Sequence, residues 1–111
     1  MSIVKSKERT LKIGNKEIGY MYEALANRSQ FSKIEPVIVT VLPEADLVEP
    51  FTHSEDEFIY ILSGSINLHY DGELHYLEQG DSAYFEGNIP HIFLATDNNE
   101  AKVLCMFIQV N

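Results

Sequence analysis

The stretch FTHSEDEFIYILSG, residues 51–64, decides how this chain is read. In an extended strand, residues two apart share a face, so Glu57, Ile59 and Ile61 point the same way. Phe51 and His53 share a face where that part is extended too. A turn through Ser54, Glu55 and Asp56 brings His53 back towards Glu57. The stretch therefore offers an imidazole and a carboxylate together, on a strand that is otherwise apolar on that side.

Similar runs lie on both sides of it. They are KEIGYMY (16–22), the segment between Pro36 and Pro43, SINLHYD (65–71), ELHYLE (73–78), SAYFEG (82–87), PHIFLA (90–95) and AKVLCMFIQV (101–110). All are rich in Ile, Val, Tyr and Phe, the residues that fit a pleated, half-buried surface. Gly14-Asn15, Asp71-Gly72, Gly80-Asp81 and Asp97-Asn98-Asn99 punctuate them. Asp71-Gly72 signals a tight hairpin, because both residues tolerate the positive φ that such a turn needs. Residues 22–31 are compatible with a helical turn or a loop, and no long segment has helical periodicity. Short strands with regular turns predict an all-β sandwich or barrel.

The chain has 111 residues, of which 45% are hydrophobic and 23% charged, which suits one globular domain. Residues 1–35 are expected to add edge strands or an arm, and residues 36–111 to form the barrel proper. The single cysteine, Cys105, excludes an intramolecular disulfide and fits a reducing compartment. It lies in an apolar strand and reads as a buried, inert thiol. The N-terminus has no apolar signal-peptide core and no apolar run nears membrane-spanning length, so a cytoplasmic protein is expected. The net charge of −9 repels a phosphate backbone, which argues against direct nucleic-acid binding. No Gly-rich phosphate loop, nucleophile elbow or CxxC pair is present.

His91 opens the strand PHIFLA, with Phe93 and Ala95 on its face. Two imidazoles and one carboxylate are the donors of a facial triad, which suits Fe, Mn, Ni or Zn as the divalent ion and leaves positions open. Spacing alone leaves a second reading open, in which His53 and His91 are surface or structural histidines.

The run from Pro43 to Leu104 resembles the two motifs of the cupin superfamily. The first motif is Gly, five residues, His-x-His, three or four residues, Glu, six residues, Gly, and it is matched at His53, Glu57 and Gly64. The second is Gly, five residues, Pro-x-Gly, two residues, His, three residues, Asn, and it is matched at Gly80 and His91. Ala45 and Phe51 stand at the first motif's glycine and first histidine. Glu86, Asn88 and Ala95 stand at the second motif's Pro, Gly and Asn. Phenylalanine cannot coordinate, so the resemblance implies a cupin jelly-roll barrel with three metal ligands, His53, Glu57 and His91, in place of four. The sequence is similar above all to cupin domains that follow a helix-turn-helix in bacterial regulators, where the barrel is thought to sense a small ligand. One branch of that architecture is a non-haem iron oxygenase of the phosphonate-epoxidase kind, which uses His, Glu and His at these matched positions.

Phe51, Ile59, Ile61, Phe85 and Phe93 are expected to line the barrel, with packing at its closed end and a ligand pocket at the His53–His91 end. His75 falls opposite Leu68 if the Asp71-Gly72 turn has two residues. It then either reaches the cavity or remains a hairpin histidine near solvent. Three functions follow as expectations. The first is a stand-alone module that binds a divalent metal and a small anionic or oxygen-bearing ligand as a sensor. The second is a metal-dependent oxygenase or isomerase, and the third a metal-free structural barrel. A homodimer is expected, because a strand-forming N-terminal arm offers an edge for pairing.

Overall fold

The computed structural model describes residues 1–13, 19–27, 32–43 and 49–110. Among the described residues, a short 3-10 turn at Ser6–Glu8 precedes nine strands: β1 (Leu11–Ile13), β2 (Tyr20–Ala24), β3 (Ile34–Val41), β4 (Asp56–Ser63), β5 (Ser65–Tyr70), β6 (Glu73–Glu78), β7 (Ser82–Glu86), β8 (His91–Ala95) and β9 (Ala101–Ile108). All pairings are antiparallel. One sheet has six strands in the order β1-β2-β3-β9-β4-β7, the other three in the order β6-β5-β8. The two stack as a jelly roll, the all-β class expected from the sequence.

The turn chemistry works as the sequence predicts. Asp71 and Gly72 both have positive φ, 52° and 78°, and they join Tyr70 to its partner Glu73 as a two-residue hairpin. β1 lies within residues 1–35, where edge strands or an arm are expected, at a stretch not itself read as a strand-like run. Residues 22–24 of the ambiguous 22–31 stretch continue β2, while residues 28–31 of it lie outside the described residues. The Gly14-Asn15 turn and Ala45 also lie outside them. Among the described residues no helix is long and apolar enough to cross a membrane.

Alternation builds the core. Val37, Val39 and Val41 of β3, Ile59 and Ile61 of β4, and Val103 and Cys105 of β9 are all buried on one side of the large sheet. Ile66 and Leu68 of β5 and Phe93 of β8 meet them from the small sheet. At one end of this sandwich the apolar filling gives way to His53, Glu57 and His91.

Candidate metal centre

Glu57 is the second residue of β4, and its register with Phe85 and Phe107 points it inward, where it is 2% exposed. A charged side chain is buried this deeply only when it has partners. His91, the first residue of β8, is 1% exposed. His53 belongs to no strand. It is placed by backbone hydrogen bonds between its own segment and the β7–β8 turn. Phe51 and His91 exchange two such bonds of 3.0 Å each. The His53 N–H donates to the Gly87 carbonyl at 2.9 Å, and the Gly87 N–H donates to the Glu55 carbonyl at 3.1 Å. The sheet thus delivers His91, the strand delivers Glu57, and this four-bond stitch delivers His53.

The two rings are oriented alike. His53 Nδ1 lies 3.1 Å from the Glu55 carbonyl oxygen, and His91 Nδ1 lies 2.8 Å from the Ile89 carbonyl oxygen. Each Nδ1–H donates to backbone, which leaves both Nε2 lone pairs facing inward, as in metal-ligating histidines. His53 Nε2 is 3.0 Å from Glu57 Oε1 and 3.1 Å from His91 Nε2, and His91 Nε2 is 3.6 Å from the same Glu57 oxygen. Three electron-rich atoms this close need a proton or a metal cation between them: a proton on His53 Nε2 satisfies the contact with Glu57, and a divalent ion satisfies all three contacts at once. Donors about 2.1 Å from a metal lie about 3.0 Å apart at right angles and about 3.4 Å apart at tetrahedral angles. The observed triangle of 3.0, 3.1 and 3.6 Å has that size, so the residues present fit a single divalent ion.

Electrostatics support the same reading. The hydrogen bond to Glu57 is the main reason that the His53 pKa lies above the ordinary imidazole value, although burial opposes it. Burial alone would raise the Glu57 carboxyl, yet the hydrogen bonds and charges of His53 and His91 hold it below the ordinary value. The site therefore favours a carboxylate facing a positive centre. Beneath it, burial and then the neighbouring Glu57 charge push the Cys105 thiol well up, which keeps it protonated and unreactive.

Aromatic rings hold the imidazoles in place. Phe85 and Phe51 pack against His91, with ring centroids 4.9 and 5.1 Å away, and Phe107 stands edge-on to His53 at 5.4 Å. The three donors open onto a cavity of about 90 Å³. Its other walls include Tyr20, Tyr22, Val39, Phe51, Phe93 and Phe107. A wider hollow of about 280 Å³ is lined by Tyr22, Ala24, Glu35, Val37 and Phe107, and shares Tyr22 and Phe107 with this cavity.

Of the residues read from sequence, His53, Glu57 and His91 come together, and Phe51 and Phe93 stand in the cavity wall. Ile59 and Ile61, both fully buried, pack in the core below it. Phe85 backs the His91 ring and faces a different groove, which it shares with His75. His75 does pair with Leu68, but its side chain is 47% exposed at the hairpin surface.

Five site residues escaped the sequence reading: Tyr20, Tyr22, Val39, Gly87 and Phe107. The alternation in KEIGYMY puts both tyrosines on one face, but only the pairing of β2 with β3 turns that face to the cavity. The Tyr20 hydroxyl accepts the Phe93 N–H and so ties β2 to β8 across the barrel. Burial raises the Tyr20 phenol well above its usual range. Burial, then the Cys105 and Glu57 charges, push Tyr22 to about 12. Nothing in the sequence marks Gly87. A Cβ there would stand closer than 3.0 Å to His53 Cε1 and Nδ1 and to the Glu55 carbonyl oxygen.

Comparison with known proteins gives the architecture a family. The profile of the family described as "Cupin domain" matches residues 37–107. Fe(II) HppE superposes with a TM-score of 0.80 at 24% identity, covering 96% of this chain and 59% of that one. Hydroxypropylphosphonic acid epoxidase from S. wedmorenis gives 0.81 and 24%, over 96% of this chain and 58% of that one. An RmlC-like cupin from Shewanella frigidimarina gives 0.76 and 16%, over 98% and 91%. The chain thus spans about three-fifths of the HppE and epoxidase chains, and the whole length of the match shares their fold. No curated protein matches the sequence.

Proposed function

The chain belongs to the cupin domain family, and on that premise we propose that it binds one divalent metal ion through His53, Glu57 and His91. The open coordination positions would then accept a small oxygen-donor ligand from the aromatic cavity. The convergence of three donor atoms at 3.0, 3.1 and 3.6 Å, with both Nδ1 groups bonded to backbone, carries this reading. Bound there, a divalent ion would act as a Lewis acid and orient what it binds.

The protein's own residues do the rest. The Glu55 and Ile89 carbonyls fix the tautomers of the two imidazoles. Phe51, Phe93 and Phe107 exclude water and suit the apolar part of a ligand. Tyr20 and Tyr22 remain neutral at physiological pH, because burial holds both phenols above their usual range. Phe51, which stands at the position of a family ligand, closes the wall instead of coordinating.

Catalysis with Fe(II) is a second reading, favoured by the small, largely aromatic-walled cavity above a three-donor site. The fold likeness to Fe(II) HppE is consistent with it. A sensor and an enzyme share the metal and differ in turnover.

Elemental analysis and calorimetric titration with Mn(II) test the metal. About one ion per chain is expected, with uptake abolished in His53→Ala and in His91→Ala while circular dichroism shows the fold intact. Absence of uptake by the parent protein overturns the proposal. Oxygen consumption by the Fe(II)-loaded protein across small hydroxy and keto acids separates the two uses: turnover marks an enzyme, and saturable binding without turnover marks a sensor.

A further inference from the structure

β6 and β7 are the last strands of their sheets, and among the described residues no ladder joins them. On the other side of the sandwich the Tyr20 hydroxyl ties β2 to β8. On this side the sheets part, and the groove that Phe85 shares with His75 opens between them. Its volume is about 230 Å³, against about 90 Å³ for the metal cavity. Register sets its walls. His75 and Leu77 pair with Leu68 and Ile66 and share their inward face, and Ala83 and Phe85 pair with Ile59 and Glu57 and share theirs. Yet His75 is exposed and Leu77 only half-buried. The inward positions of β6 are thus left uncovered, and a concave, largely apolar wall of this kind is what small-molecule sites are built from.

The groove offers aromatic faces and hydrogen-bond acceptors. Tyr70 and Phe85 meet with centroids 5.2 Å apart and planes at 59°, a corner with two π faces. The Tyr70 hydroxyl donates to the Glu86 carbonyl at 3.2 Å, which leaves its oxygen to accept. Glu73 pairs with Tyr70 in register, and its carboxylate lies 3.7 Å from His75 Nε2. Tyr84 adds free backbone. The bonds from Ile61 N–H to the Asp81 carbonyl and from Gly87 N–H to the Glu55 carbonyl fix the phase of the β4–β7 ladder, so the Tyr84 carbonyl and N–H point off its edge. Charge then excludes an anion. The sequence has no Lys or Arg between Lys33 and Lys102, and that span holds every acidic residue except Glu8, Glu17 and Glu23. Lys102, on β9, turns its Nζ away from β7 to Thr40 of β3, at 3.4 Å. A region of one sign concentrates the opposite charge.

We propose that this groove binds a small organic cation, an aryl-alkyl primary amine in its protonated form. The apolar body lies against Leu68, Leu77 and Ala83. The ammonium sits at the Tyr70–Phe85 corner, where a cation within ~6 Å of a ring centroid is attracted by the ring quadrupole. Its N–H groups have the Glu73 carboxylate and the Tyr84 carbonyl to donate to. The groove is separate from the metal centre and lies across one ring from it, since Phe85 also packs 4.9 Å from His91. The two sites have opposite preferences: a metal ion draws oxygen donors and anions, and the groove draws a cation.

Nitrogen–proton correlation NMR of the full chain, titrated with 2-phenylethylamine, tests the site. The neutral and anionic controls are 2-phenylethanol and phenylacetate. The amine should shift the amides of Leu77, Ala83 and Phe85 saturably, with a dissociation constant of about 1 mM or tighter. The alcohol should bind about tenfold more weakly, and phenylacetate should leave these amides unmoved. Glu73→Gln, at an exposed position, should weaken the amine about fivefold and leave the alcohol unchanged. Ala83→Leu fills the groove and should abolish binding of both. Absence of saturable shifts at twenty times the expected dissociation constant overturns the proposal, as does unchanged amine binding by a folded Ala83→Leu protein. Phenylacetate binding as tightly as the amine at these amides, or equal amine affinity in Glu73→Gln, overturns the selection of a cation.

Discussion

Replacing Gly87 by alanine adds a single methyl group, and the structure says where it goes. The new Cβ would fall closer than 3.0 Å to His53 Cε1 and Nδ1 and to the Glu55 carbonyl oxygen. Carbon–carbon contacts settle at about 3.5–4.0 Å, so the ring must withdraw by on the order of 1 Å. Both neighbours resist. The Glu55 carbonyl accepts the Gly87 N–H at 3.1 Å, and the His53 N–H donates back to Gly87 at 2.9 Å. Relieving the clash therefore loosens the stitch that places His53. A metal ligand must be positioned to within ~0.2 Å of its ideal distance, so a shift several times larger removes His53 from the donor set. Loss of one donor of three should weaken divalent-ion binding at least 100-fold, or about 2.8 kcal/mol at 1.4 kcal/mol per factor of ten. The methyl group should also cost the fold about 1–3 kcal/mol as overpacking. The assay is Mn(II) titration by calorimetry on parent and Gly87→Ala proteins, alongside urea unfolding to separate the two effects. Unchanged affinity in a folded Gly87→Ala protein would refute the claim that this turn positions the ligand.

Other outcomes are equally specific. Ile61→Ala empties a fully buried position between the sheets and should cost about 3 kcal/mol and roughly 10 °C of Tm, whereas a drop below about 3 °C would contradict the packing described. Tyr20→Phe leaves the buried Phe93 N–H without its acceptor and should destabilise the fold by about 1–3 kcal/mol in urea unfolding. Tyr22 ionises near 12 when folded and near 10 when unfolded, so between those values the unfolded chain binds fewer protons. Its contribution to stability is therefore complete below about pH 10 and lost as pH rises towards 12. Tyrosinate absorbance should accordingly lag behind that of the urea-unfolded protein across this window, and superimposable titrations would show that the phenol is not shielded. Phe51→His restores a family ligand beside His91, 5.1 Å from the present ring, and should tighten Mn(II) binding about tenfold. Unchanged affinity would mean that the wall position cannot reach the ion.

The site was legible in the sequence where ligands sit at fixed offsets within a strand or beside a turn. Glu57 announces itself by its register with Ile59 and Ile61, and His91 by opening a strand after Pro90. His53 was harder to place, because it lies outside any strand and the bonds that hold it come from the β7–β8 turn. The cavity walls were read less completely. Phe51 and Phe93 follow from the strand faces, but Ile59 and Ile61 sit deeper, and pattern does not report depth along a barrel. Tyr20, Val39 and Phe107 come from three different strands, and each shows in the sequence only as one more inward residue.

Alternation of side chains along short β-branched and aromatic runs, with Asp-Gly and Gly-Asp turns between them, was enough to determine an all-β sandwich, because burial on one face imposes a period of two. The order of strands in each sheet was not so determined, since antiparallel pairing is made by backbone groups that every residue carries. Only the tertiary structure decided that β9 inserts between β3 and β4, and that Gly87 yields its side-chain space to His53. Both facts depend on where segments distant along the chain meet in space, which no local pattern of residues can encode.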